Sequence, residues 1–146
     1  MSPPVEDELY QAALVARAKQ GRTRGRLSSP QHSITLDNPL CGDRVTLDVD
    51  LADGRVTRIG HQVRGCLLCE AAAELIAVQA PGKTATDLAG ATSAVTAILK
   101  EDKPAPAGEW SSLAIFAPVH RVKSRQECVL LPFEALNKAL ASLSPS

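Results

Sequence analysis

The stretch Arg44-Val45-Thr46-Leu47-Asp48-Val49-Asp50-Leu51 alternates without a break. Val45, Leu47, Val49 and Leu51 are apolar, and Arg44, Thr46, Asp48 and Asp50 are polar. Successive side chains of a strand point to opposite faces, so this pattern predicts a strand with one buried and one wet face. That is the signature of an antiparallel sheet packed on one side only. Ala52-Asp53-Gly54 supplies a hairpin turn, and residues 55–63 read as the return strand. Another strand is expected around residues 33–36.

Working outward, residues 5–19 carry Val5, Leu9, Ala12, Ala13 and Ala16 at helical spacing. Gly21-Arg22-Thr23-Arg24-Gly25-Arg26 then reads as a solvated loop, or alternatively as a docking patch for an acidic partner. After Gly65 the character changes. Residues 66–79 are rich in Ala, Glu and Leu and stop at Pro81-Gly82, which predicts a helix. Thr84 and Asp87 stand at capping-box spacing ahead of a second, with Leu88, Ala91, Val95, Ile98 and Leu99 on one face. Lys103-Pro104-Ala105-Pro106-Ala107-Gly108 reads as a stiff linker. A last helix is expected over residues 129–143, with Pro132 in its first turn. Together these elements predict an α+β fold: a small antiparallel sheet of about three strands with helices packed on one face. No internal repeat is visible, and residues 1–146 read as a single domain.

Sixteen basic and sixteen acidic residues cancel, and aromatic residues make up 3% of the chain. A neutral chain poor in aromatics has neither the electrostatic footprint nor the stacking platforms of a nucleic-acid binder. The start, Met1-Ser2-Pro3-Pro4-Val5-Glu6-Asp7, shows no basic region followed by an apolar run, and no apolar stretch approaches the ~20 residues that cross a bilayer. A cytoplasmic location without membrane contact is therefore expected, where thiols stay reduced and favour metal or sulfur chemistry over disulfides.

The chain has four cysteines, and their placement carries the functional reading. Cys41 falls in the loop before the central strand. Cys66 falls at the end of the return strand, where a helix begins, with Cys69 one helical turn later. Cys128 falls just ahead of the last helix. Such segments can meet at one end of a sheet, and Asp43 offers a hard fourth ligand beside Cys41. Three thiolates and a carboxylate suit zinc, or an iron–sulfur cluster with one replaceable corner. Unpaired N–H groups at a helix N-terminus favour the thiolate that binds metal or attacks sulfur. On spacing alone, three unrelated buried cysteines remain the alternative.

The words around the cysteines add to this. Asn38-Pro39-Leu40-Cys41-Gly42-Asp43 resembles the N-P-x-C-G-D motif of the U-type iron–sulfur assembly proteins, the IscU, SufU and NifU N-terminal-domain family. Gly65-Cys66-Leu67-Leu68-Cys69-Glu70-Ala71-Ala72 is similar to the family's G-C-x-x-S-x-A-S segment. Arg125-Gln126-Glu127-Cys128-Val129-Leu130-Leu131-Pro132-Phe133-Glu134-Ala135-Leu136 resembles its third-cysteine segment. The three motifs come in the family's order, Leu9-Tyr10 fits its first helix, and the long spacing between second and third cysteines resembles the SufU-like branch. Cys69 replaces the usual Ser, and Glu127 stands where a basic residue precedes the third cysteine. The family's Asp-His-Tyr stretch is absent, as is the chaperone-binding L-P-P-V-K element, near which only Ala117-Pro118-Val119 is found.

The resemblance implies that Cys41, Asp43, Cys66 and Cys128 are ligands, with Cys128 also the sulfur acceptor. It implies a scaffold or sulfur-acceptor protein of iron–sulfur cluster assembly, sulfurtransferase-like at most, holding zinc or a labile [2Fe–2S] cluster. Its expected partners are a cysteine desulfurase and downstream cluster acceptor proteins, and the chain is expected to be a monomer or weak dimer. Arg125 is an auxiliary candidate whose guanidinium can pair with Asp43, against the plainer reading of a surface ion pair. Cys69 is open to three readings: core thiol, spare ligand or resolving thiol. Two other functions compete: a thiol–disulfide oxidoreductase using Cys66 and Cys69, and a binding protein with a purely structural zinc. His32, His61 and His120 are isolated and read as structural or exposed.

Overall fold

The computed structural model describes residues 4–40 and 42–143, with side chains from 12 to 142; Cys41 lies outside the described residues. Three strands, β1 (His32–Asn38), β2 (Asp43–Ala52) and β3 (Arg55–Arg64), form an antiparallel sheet in the order β1-β2-β3. Asp53 and Gly54, at φ +54° and +75°, turn β2 into β3 as a two-residue connection whose left-handed backbone matches the strand twist. The register aligns Leu36 with Val45, Ile34 with Leu47 and Val49 with Ile59, so the apolar sets share one face. The described residues also form four α-helices: α1 (Pro4–Arg22), α2 (Leu67–Gln79), α3 (Ala85–Glu101) and α4 (Lys123–Leu143). α4 crosses β1 and β2, α2 lies on β3, and α1 and α3 pack on that helical layer. Val45, Leu47 and Val49 are thereby sealed into one core with Leu75, Ile76, Phe133 and Leu136. This is the α+β architecture that the alternation in β2 predicts.

The outer face is less wet than predicted. Asp48 and Asp50 are both buried, although the arginine-rich stretch that crosses beside Asp48 is itself exposed. From the end of α1 the chain turns at the edge of β3, where the Gly25 carbonyl accepts the His61 N–H at 3.1 Å. It then runs over Gly60, where a Cβ would stand 2.6 Å from the Leu27 nitrogen. Arg22 pairs with Glu70, Arg24 with Glu74 and Arg26 with Asp48, at 2.6–2.9 Å. Gln31 N–H and Arg58 cover Asp50 at 2.8 and 2.9 Å. Alternate arginines thus tie the crossing segment to α2 on one side and to the sheet on the other.

The last helix begins at Lys123, six residues before the predicted start, which places Cys128 and Pro132 inside it. Pro132 has no N–H to offer the carbonyl four residues back. Apolar packing of Val129, Phe133, Leu136 and Leu140 carries the helix through that position. Ahead of it, residues 102–107 are irregular where a linker over 103–108 is expected, and Gly108 opens consecutive 3₁₀ turns over Gly108–Arg121. These bury Leu113, Phe116 and Val119.

Candidate metal and sulfur site

The site lies where the β1–β2 loop, the β3–α2 junction and α4 come together. Asn38, buried at the end of β1, shapes the loop twice: its Oδ1 accepts the Leu40 N–H at 3.1 Å, and its carbonyl accepts the Gly42 N–H at 2.8 Å. Gly42 takes φ +75°, which an L side chain adopts only with strain, and Asp43 then opens β2 opposite Asn38. The loop residue between Leu40 and Gly42 is Cys41.

Across the sheet, β3 ends at Arg64, and Cys66 is the N-cap of α2 in extended conformation. The Asp43 carboxylate reaches it with both oxygens. Oδ1 accepts the Cys66 N–H at 3.0 Å, and Oδ2 lies 3.4 Å from Sγ. Between them Gly65 leaves the necessary room, since a Cβ there would sit 2.6 Å from Asp43 Cγ. Sequence reasoning quotes Gly65 within the second-cysteine segment but does not single it out as part of the site. A glycine between a strand end and a helix N-cap was the available signal, but the carboxylate it admits comes from a distant residue.

Cys128 arrives from α4, in the helix rather than ahead of it. Gln126 and Glu127 fix the orientation of this turn. Gln126 Nε2 donates to the Leu99 and His120 carbonyls at 2.8 and 3.1 Å, and Glu127 pairs with Lys100 at 3.0 Å. His120 Nδ1 also contacts the Leu99 carbonyl at 2.8 Å. Carbonyls in the last turn of α3 lack helical partners, so these side chains cap that helix while docking α4 onto it. With residues 126 and 127 turned to α3, Cys128 turns inward and is 0% exposed.

Asp43, Cys66 and Cys128 thus bring one carboxylate oxygen and two thiols within 4.8 Å of one another. Two thiolates and a carboxylate this close repel when all are ionised, and a divalent cation would relieve that repulsion. Sulfur and oxygen donors of this kind suit zinc or iron. The donor set therefore fits a metal.

The other candidates fall elsewhere. Cys69 is fully buried in the hydrophobic core, one turn into α2, and is outside the Asp43–Cys66–Cys128 cluster. Arg125 is exposed on the first turn of α4, and no ion pair with Asp43 forms among the described residues. His61 is buried against Glu74 at 3.0 Å, far along α2 from Cys66.

An α+β fold with thiols from a helix N-cap and a second helix facing a strand-end carboxylate defines a small thiol–carboxylate domain. The chain belongs to the NifU-like N-terminal domain family, whose sequence model matches residues 9–129. It is 22% identical over 134 residues to the iron–sulfur cluster assembly scaffold protein IscU of Streptococcus pyogenes, covering 92% of this chain and 84% of that protein. It is 24% identical over 137 residues to the zinc-dependent sulfurtransferase SufU of Bacillus subtilis, covering 92% and 91% respectively. Among solved structures, the N-terminal part of a nitrogen-fixing NifU-like protein from Brucella abortus superposes with a TM-score of 0.86 at 32% identity. That match covers 94% of this chain and 95% of the other. Among the described residues, no helix is long and apolar enough to cross a membrane.

Proposed function

We propose that this chain serves iron–sulfur cluster assembly as a scaffold or zinc-dependent sulfur acceptor, taking persulfide sulfur from a cysteine desulfurase. The observation that carries this reading is the convergence of Asp43, Cys66 and Cys128, from three separate elements, within 4.8 Å. Cys41, on the loop beside Asp43, completes the proposed ligand set. The relatives named as an iron–sulfur scaffold and as a zinc-dependent sulfurtransferase support the same chemistry.

Bound zinc would keep the coordinating thiols deprotonated at neutral pH. The residues then divide the work. Asp43 is the weaker, oxygen ligand and also holds the Cys66 N–H, so it fixes the start of α2 while leaving the site exchangeable. Cys128 Sγ, as thiolate, attacks the outer sulfur of the donor persulfide. A new S–S bond forms on Cys128, the donor S–S bond breaks, and its electron pair leaves on the donor cysteine as a thiolate. No external oxidant or reductant is consumed. Because Cys128 is fully buried, this step requires its cover to move aside. A [2Fe–2S] cluster assembled on the same groups would be the cargo passed to acceptor proteins.

The burial of Cys128 and of Asp43, which is 2% exposed, also favours a second reading, a closed structural zinc site. Cysteine desulfurase with radiolabelled cysteine separates the two. Label should move to the wild-type chain and be lost in Cys128→Ser. A chain that holds zinc yet takes no label is a structural zinc protein. Nothing favours a Cys66–Cys69 redox pair, since Cys69 faces the core.

A further inference from the structure

A groove of about 420 Å³ opens beside the site, between α1, the start of α2 and the entry to α4. Leu67 and Leu68, which follow Cys66 directly, form one wall, and Pro118, Val119 and Val122 form another. Val15 of α1 lines it too, and Val15 and Val122 are 36% and 46% exposed. Leu40, next to Cys41, is 92% exposed. Two of the four large apolar side chains that are exposed among the described residues, Val15 and Val122, therefore line this one groove, beside Cys66. Exposed apolar side chains gathered in this way mark an interaction site rather than ordinary surface.

Charge identifies the occupant. Arg125 lines the α4 end of the groove, and Lys123 stands two residues before it, both exposed and with no acidic residue between them. Lys123 and Arg125 make no ion pair among the described residues, whereas Arg22, Arg24, Arg26, Arg44 and Arg58 all do. A partner segment matching this surface has an apolar face and carboxylates at one end. Opposite charges there would speed and orient its docking.

Resting on the sulfur-acceptor reading, we propose that this groove seats an amphipathic, acidic segment of the protein sulfur donor. The groove begins at the residue after Cys66 and ends at Arg125, one helical turn before Cys128. A donor seated in it is therefore held against the turns that carry both thiols. The apolar wall supplies affinity, and Lys123 and Arg125 supply register.

The test measures binding of a purified cysteine desulfurase to the zinc-loaded chain. Val15→Asp and Val122→Asp alter exposed positions, so both should fold and keep their zinc. Each should weaken binding by roughly tenfold or more, the effect of placing a charge in a desolvated apolar contact. Lys123→Glu should weaken it and lessen its dependence on salt. Lys138→Glu, exposed some 20 Å further along α4, should bind as wild type does. Inorganic polysulfide, which needs no docking, should load sulfur equally onto wild type, Val15→Asp and Val122→Asp. Unchanged binding by Val15→Asp and Val122→Asp, or an equal loss in Lys138→Glu, overturns the groove while leaving the sulfur-acceptor function standing. A wild-type chain that neither binds the desulfurase nor takes its sulfur overturns both.

Discussion

Gly65 has no side chain, and the site is built on that absence. The Asp43 carboxylate occupies the space a Cβ would take, where it holds the Cys66 N–H. Gly65→Ala should therefore push the carboxylate away while leaving the core intact. Zinc affinity, measured by competition with a chromophoric chelator, should fall roughly 10–100-fold, the usual cost of disturbing groups that orient a ligand. Cys69 makes the opposite case. It is buried in the core and outside the cluster, so Cys69→Ser should keep zinc binding and sulfur acceptance and change only stability, by about 1–2 kcal/mol at most. A loss of sulfur transfer in that variant, with transfer kept in Cys128→Ser, would reverse the assigned roles. The convergence of Cys66, Cys128 and Asp43 was legible in the sequence because thiols are scarce and sit in recognisable words. Gly65 was not, because its role depends on a residue 22 positions earlier in the chain.

Elements were legible where a local period governs them and obscure where tertiary contacts do. The alternation of β2, the Asp53-Gly54 turn and the Thr84–Asp87 capping box were all readable. Thr84 Oγ1 accepts the Asp87 N–H at 3.2 Å, and the Asp87 carboxylate accepts the Thr84 N–H at 3.0 Å. Thr84→Ala should cost about 1 kcal/mol and lower the melting temperature by about 2–4 °C, with zinc binding unchanged. The first turns of α4 were missed because Lys123-Ser124-Arg125-Gln126-Glu127 shows no apolar stripe. Gln126 and Glu127 dock that turn onto α3 by polar contacts instead. The arginine-rich segment is exposed as a solvated loop would be, but its ion pairs were missed for a related reason. Its partners Glu70, Glu74 and Asp48 lie 22–50 residues away, and nothing local reveals a carboxylate that distant.

At the scale of the molecule, these buried pairs make stability depend on pH. Burial works against ionisation of Glu74, but hydrogen bonds from Arg24 and His61 outweigh it and hold the carboxyl below its ordinary range. At Asp48 the same opposition is settled by Arg26, Ser33 and the Leu27 N–H. At Asp50 the Gln31 N–H acts first, with Arg58. A carboxyl whose folded pKa is depressed stabilises the fold fully above its unfolded pKa, and that contribution is lost as pH falls through the folded value. The melting temperature should thus hold above about pH 5 and drop below about pH 4. Arg26→Gln should melt lower at neutral pH and converge with wild type in acid. Failure to converge would show that Asp48 is not the source.

The central claim is that segments far apart in the chain build one metal and sulfur site, and X-ray absorption at the zinc edge tests it most directly. The zinc-loaded wild-type chain should show three sulfur neighbours at about 2.3 Å and one oxygen near 2.0 Å. Cys128→Ser should lose one of the three sulfurs. A coordination shell without sulfur, or one unchanged by Cys128→Ser, would contradict the account.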